Sequence, residues 1–115
     1  MGSMENSYIR FLNLSDSLVA NSGLTKLDAA EEQLLHVVMI AHSQGSETLV
    51  GDLLVLSHIG SQATLHGRVH NLIAAGHLKL VVDLDDGRKK KVIPTKQALK
   101  HYDNLSKLLA KAVVA

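Results

Sequence analysis

The chain of 115 residues contains no cysteine. This absence excludes a disulfide framework, a thiolate zinc site and a thiol redox switch. The longest apolar runs fall well short of the ~20 residues that a membrane-spanning helix requires, and no basic and apolar leader opens the chain. We therefore expect a cytoplasmic protein with one domain, a modest core and no membrane partner.

Sequence signatures of catalysis are also missing. The chain has no phosphate-binding glycine loop, no nucleophile elbow and no spaced pair of carboxylates. Asp85 and Asp86 are neighbours in a turn, where carboxylates serve turn geometry. We predict that the protein is not an enzyme and uses no cofactor.

Charge is distributed unevenly along the chain, although the net charge is only +1. Residues 1–60 carry two cations against seven acids, a balance of −5, whereas residues 61–115 carry ten cations against four acids, a balance of +6. Polarised charge on a small domain favours a polyanionic partner for the basic half. A solvated basic surface is the alternative, and charge alone does not decide between them.

The first half of the chain is predicted to be helical. After Met-Gly-Ser at 1–3, which resembles a cloning remnant, apolar residues at helical spacing indicate an N-terminal helix over 4–20. Asp28-Ala29-Ala30-Glu31 is the pattern of a capping box and begins a second helix. A short strand at Thr48-Leu49 and a third helix over about Val50–Ser57 are predicted to follow.

A helix and a basic hairpin follow one another in the second half. Ser61 is predicted to be the N-cap of the fourth helix, and Gly76 fits the position that permits a left-handed exit from it. Between them an apolar stripe at helical spacing is predicted to face the core: Leu65, Val69, Leu72 and Ile73. Asp-Gly between the apolar runs Leu78–Val82 and Val92–Ile93 predicts a tight hairpin turn. The fold class predicted is mostly α with a small β-hairpin wing (α+β), a winged helix-turn-helix over residues 24–94.

A last helix is predicted within residues 95–115, capped by Thr95. Its apolar residues repeat at spacings of three and four, which indicates a seam with a partner helix. A helix that packs within its own subunit explains the same pattern. These elements together make a single domain over residues 4–115, flanked by N- and C-terminal dimerisation helices.

The residues resemble the MarR-type family of winged-helix transcription regulators from about Leu24 to Tyr102. The ordered series of motifs carries the resemblance: Leu24-Thr25, Leu49…Asp52-Leu53-Leu54, Ile59-Gly60-Ser61…Thr64-Leu65, Leu72…Gly76-His77-Leu78, Asp85-Asp86-Gly87-Arg88 and Ile93-Pro94-Thr95. Three features depart from the family pattern. The terminal helices are short, Cys is absent, and His77 stands where an apolar residue is usual.

The resemblance implies roles for several residues. The fourth helix, about 61–75, would be the recognition helix in a major groove, Arg88 would be the wing arginine of a minor groove, and Asp86 would steady that arginine. The basic wing would extend over residues 83–93. A homodimer would form through the terminal helices, with Tyr8, Phe11, Leu12, Leu99, Tyr102, Leu105, Leu109 and Val113 at its interface.

The polar side of the fourth helix offers donors and methyl groups for base edges. An Arg can donate a bidentate pair to guanine, Gln or Asn can pair with adenine, and Ala or Thr can touch a thymine methyl. Gly67 either lets the backbone approach the groove floor or relieves crowding against a neighbouring helix. The predicted DNA-binding residues of the helix are Ser61, Gln62, Ala63, Thr64, His66, Gly67, Arg68 and His70.

Four cations of the hairpin are predicted to contact phosphates, which provides affinity and position without reading sequence. They are Arg88, Lys89, Lys90 and Lys91. Because side chains alternate along a strand, Lys89 and Lys91 should point one way and Lys90 the other, so at most three cations face one duplex. A solvated edge hairpin guarded by lysines is the alternative.

The predicted function is sequence-specific binding of double-stranded DNA by a homodimeric, nucleoid-associated transcription regulator. One alternative is a winged-helix module that binds protein and no DNA, because fold alone does not decide function. Another is a metal- or ligand-responsive regulator, in which His66 and His70 at i, i+4 supply ligands. No metal is expected in the first hypothesis, and any small-molecule effector is unknown.

Overall fold

The computed structural model of the protein describes residues 6–23 and 26–113. The proposed remnant at 1–3, the expected helix start at Met4, the motif Leu24-Thr25 and the last two residues of the predicted C-terminal helix, 114–115, lie outside these residues. The described residues form α1 (Ser7–Ser22), α2 (Ala29–Ser43), β1 (Thr48–Leu49), α3 (Val50–Leu54), α4 (Gln62–Ala74), β2 (Leu78–Val82), β3 (Lys90–Pro94) and α5 (Lys96–Val113).

Contacts divide the chain into two compact units. Leu27–Ala98 form one, which contains α2, α3, α4 and the sheet. Residues up to Lys26 and from Leu99 onward form the other, which contains α1 and most of α5. None of the described helices has both the length and the apolar character required to cross a membrane.

The ends of the helices in the Leu27–Ala98 unit are set by local hydrogen bonds. Asp28 and Glu31 form the predicted capping box at the start of α2. Ser61 caps α4, and Gly76 follows α4 with a φ of 84°, a left-handed conformation that glycine adopts without a Cβ clash. The Thr95 hydroxyl accepts the Ala98 amide at 3.2 Å in the first turn of α5. These predicted signals are confirmed.

The three strands form an antiparallel sheet in the order β1-β3-β2. Val92 lies at its centre, opposite Thr48 on one side and Leu80 on the other. The predicted apolar stripe of α4 packs against α2 and α3. The core of this unit consists of Leu34, Leu35, Val38, Leu53, Leu65, Val69, Leu72, Leu78, Val92 and Ala98.

Two predictions of local structure are wrong. The third helix ends at Leu54 rather than near Ser57, because consecutive turns replace it, with Leu56 donating to Leu53 and Ile59 to Leu56. The hairpin has no two-residue Asp-Gly turn, since a loop of seven residues, Asp83–Lys89, separates β2 from β3. Among the described residues the left-handed glycines are Gly23, Gly45 and Gly76, so Gly87 does not adopt the positive φ that a two-residue type I′ hairpin turn demands.

In the second unit a hydrogen bond links the two terminal helices. The Arg10 guanidinium donates to the Ala112 carbonyl at 2.8 Å, near the end of α5. The Ala112 side chain is buried, whereas several large apolar side chains of this unit are exposed. Of the residues predicted at a dimer interface, Tyr8, Leu12, Leu99, Leu109 and Val113 are exposed, and Phe11, Tyr102 and Leu105 are half-buried.

Candidate nucleic-acid interface

One side of α4 is open to solvent and polar. Leu65, Val69 and Leu72 are buried on the opposite side, as the spacing of the apolar residues predicted. The Ser61 hydroxyl accepts the Thr64 amide at 3.2 Å and donates to the Thr64 hydroxyl at 2.9 Å, so it is committed to the cap. The exposed residues that follow on this side are Gln62, Ala63, Thr64, His66 and His70.

Gly67 leaves open space on α4. A Cβ added to this residue would meet no described atom within 4 Å, apart from the helix backbone. The alternative that Gly67 relieves crowding against a neighbouring helix is therefore wrong. Glycine destabilises a helix by about 1 kcal/mol relative to alanine. Packing in this structure gives no reason for a glycine at position 67.

Two polar side chains of α4 are joined to the start of α2 rather than left free. The Arg68 Nε lies 2.8 Å from the Asp28 Oδ2, and the Asn71 amide donates to the Glu31 Oε2 at 3.1 Å. Arg68 was predicted to contact DNA, and its guanidinium is thus already in an ion pair. Asp28 and Glu31 were recognised from sequence only as a helix cap, because the pattern gives no sign of contacts 40 residues away.

The acidic residues of the hairpin loop shape its backbone. The Asp83 carboxylate accepts the amides of Asp85 at 2.8 Å and Asp86 at 3.2 Å, and these bonds lower the pKa of Asp83 below its ordinary range. They form a side-chain turn at Asp83, and a backbone turn follows it, in which the Lys89 amide donates to the Asp86 carbonyl at 2.9 Å. The two turns in series account for a loop of seven residues. The Asp86 Oδ1 accepts both the Arg88 amide at 3.0 Å and its Nε at 3.3 Å, so Asp86 steadies Arg88 as predicted.

The four cations of the hairpin differ in their surroundings. The Arg88 side chain is 94% exposed, and Lys89 and Lys90 are exposed as well. Lys91 is paired with Glu47 at 2.6 Å, and this hydrogen bond lowers the pKa of Glu47 and raises that of Lys91. Lys89 also lowers the pKa of Glu47, after Lys91. Because β3 begins at Lys90, Lys89 lies in the loop, and the alternation of side chains along a strand does not set its direction. Three of the four cations remain open to a partner.

The histidines of α4 do not complete a metal site in the described part of the chain. The His66 and His70 rings meet edge to face, with centroids 5.6 Å apart. Within the described ranges no three His, Asp or Glu side chains are grouped so that they could hold a metal ion. His77, which departs from the family pattern, is buried just after the end of α4, where its amide donates to Leu72.

No protein-family model and no curated protein matches the chain in sequence comparisons. Solved structures do match. The transcriptional regulator Tm0710 from Thermotoga maritima has a TM-score of 0.63 and 18% identity, covering 90% of this chain and 67% of that one. A chain of the S. aureus MepR-DNA complex has a TM-score of 0.61 and 13% identity, covering 91% and 68%.

AbsC, a MarR family transcriptional regulator from Streptomyces coelicolor, matches with a TM-score of 0.57 and 15% identity. The match covers 92% of this chain and 67% of AbsC. Such identities establish a shared fold. The chain therefore has the winged-helix fold of MarR-type transcriptional regulators.

Proposed function

We propose that the protein is a DNA-binding transcription regulator that recognises duplex DNA through α4 and the hairpin. The observation that carries this proposal is the pairing, in one compact unit, of an exposed polar helix face with a hairpin bearing three open cations. Gln62, Thr64 and His70 offer hydrogen-bonding groups and a methyl to base edges, as major-groove recognition requires. The hairpin cations Arg88, Lys89 and Lys90 would contact phosphates and supply most of the affinity.

The structural neighbours support the same function. One of the matched structures is a protein-DNA complex, and two others are named as transcriptional regulators. Such a regulator would act at the nucleoid, in the cytoplasm. The wing assignment is supported by the exposure of Arg88, whose side chain extends into solvent from a loop that Asp83 and Asp86 stabilise.

Binding to random duplex DNA tests the function directly. The dissociation constant should rise steeply with salt, because Lys and Arg release counterions from the phosphates they neutralise. Selection from a pool of random duplexes should then yield a preferred site. Absence of salt-dependent binding at low ionic strength would reject the function and favour a protein-binding module of the same fold.

We also propose that two chains associate through their terminal helices. The exposed apolar side chains of α1 and α5, among them Tyr8, Ile9, Leu109 and Val113, form a surface that a partner would bury. Sedimentation of the purified protein at tens of micromolar should return a dimer, and a Leu109→Asp variant should shift it toward monomer. A monomeric wild-type protein would refute this part of the proposal alone.

A further inference from the structure

The capping box at the start of α2 uses only half of its carboxylate oxygens. The Asp28 Oδ1 accepts the Glu31 amide at 2.8 Å, and the Glu31 Oε1 accepts the Asp28 amide at 2.9 Å. These two bonds complete the capping box. A serine at the first position would serve the cap equally well, so the cap itself does not explain an aspartate there.

The remaining oxygen of each carboxylate is directed to α4. The Asp28 Oδ2 is 2.8 Å from the Arg68 Nε, and the Glu31 Oε2 accepts from the Asn71 amide at 3.1 Å. Arg68 and Asn71 are three residues apart, so they are neighbours on one side of the helix. Two parallel links therefore join the first turn of α2 to the middle of α4. We name these four residues the α2–α4 clamp.

The clamp restricts rotation of α4, which apolar packing alone permits. Leu65, Val69 and Leu72 hold α4 in the core, but hydrophobic contact is non-directional and tolerates small rotations. The hydrogen bond from Asn71 to Glu31 is directional, and Glu31 is only 8% exposed, so its buried carboxylate needs the bonds that Asn71 and the Asp28 amide donate. The Arg68–Asp28 contact is an ion pair without hydrogen-bond geometry, so it adds attraction rather than direction. Side chains that bind a ligand selectively must be held within about 0.5 Å and about 10–20° of the geometry in which they bind it.

We propose that Asp28 and Glu31 are positioning residues for DNA recognition, which set the rotation of α4 through Arg68 and Asn71. This inference rests on the function proposed above. Arg68 then acts by fixing the helix and does not contact a base, in contrast to the prediction from sequence. Base choice falls to the exposed residues Gln62, Thr64, His66 and His70.

The test compares two duplexes, the site selected by the wild-type protein and a scrambled version of it. Asp28→Ser retains an N-cap but removes the oxygen that faces Arg68, and Asn71→Ala removes the bond to Glu31. Each should weaken binding to the selected site about tenfold, equivalent to about 1.4 kcal/mol. Binding to the scrambled duplex should change by less than about twofold. Glu32→Gln, which removes one negative charge from the same helical turn, is the matched control and should resemble wild type.

A double substitution separates positioning from direct contact. If the clamp positions α4, Asp28→Ser combined with Arg68→Gln should lose no more affinity for the selected site than either change alone. If Arg68 itself bound a base, Asp28→Ser would release it and leave binding intact or stronger, while Arg68→Gln alone would lose the preference. That pattern overturns the proposal, as does an equal loss on both duplexes.

A loss of folding must be distinguished from a loss of binding in each variant. Thermal unfolding gives the folded fraction of each variant, and affinities are referred to folded protein. Should Asp28→Ser fail to fold, Asn71→Ala decides the question, because alanine favours the helix and Asn71 lies outside the core. Wild-type protein that binds no duplex refutes the proposed function itself. Wild-type protein that prefers its site, with clamp variants that keep the same preference, refutes the clamp alone.

Discussion

Replacement of the open hairpin cations should reduce the salt dependence of DNA binding by a calculable amount. Arg88, Lys89 and Lys90 are exposed, and each phosphate contact adds about 0.9 to the slope of log affinity against log salt. A triple alanine variant should therefore lower the slope by about 2.7 per bound chain. Between 50 and 200 mM salt the wild-type protein would lose about 40-fold more affinity than the variant.

The assay is a titration of labelled random duplex at four or more salt concentrations, with Lys91→Ala as the matched control. Lys91 lies beside the same cations but is paired with Glu47 at 2.6 Å. Its replacement should therefore change the slope by less than the ~0.9 that one phosphate contact contributes. If the triple variant kept the wild-type slope, the hairpin would not contact the backbone. If Lys91→Ala had the effect of a full contact, the argument from its ion pair would fail.

The effects of four further substitutions can be measured by unfolding. Gly76→Ala should destabilise the protein by about 1–2 kcal/mol because its φ of 84° is left-handed, whereas Gly67→Ala, in open space on a helix, should stabilise it by about 1 kcal/mol. Leu72→Ala should cost about 2–5 kcal/mol, since the side chain is fully buried and its removal leaves a cavity. The Glu47–Lys91 pair should contribute stability between their ordinary pKa values of 4.5 and 10.5. That contribution should vanish as pH falls through the lowered pKa of Glu47 or rises through the raised pKa of Lys91, so Glu47→Gln and wild type should converge at both extremes.

Features that depend on neighbouring residues were predictable from the sequence. The capping box at Asp28, the N-cap at Ser61 and the left-handed Gly76 each satisfy backbone groups within a few positions, so the local pattern specifies them. The buried stripe of α4 follows in the same way from the helical period. The order of these elements was enough to predict the winged-helix fold.

The hairpin loop was less predictable because two local preferences compete there. Asp86-Gly87 favours a two-residue turn, but the Asp83 carboxylate accepts two amides of the loop and stabilises a longer one. The strand β3 consequently begins at Lys90, two residues before the apolar run that predicted it. Pairing with Val81 and Val82 of β2 supports these two extra positions, and Leu49 of β1 also lies opposite Lys91.

The sequence by itself determined where α2 and α4 begin, where α4 ends, which side of α4 is apolar and where the cations of the hairpin lie. The tertiary structure alone decided which polar groups are already occupied. Arg68 with Asp28, Asn71 with Glu31 and Lys91 with Glu47 are pairs separated by about 40 residues, and no local pattern indicates them. They exist because packing of α2 against α4, and of β1 against β3, brings polar groups that are distant in sequence within hydrogen-bonding distance. The side chains available to a duplex are those that this packing leaves without such a partner.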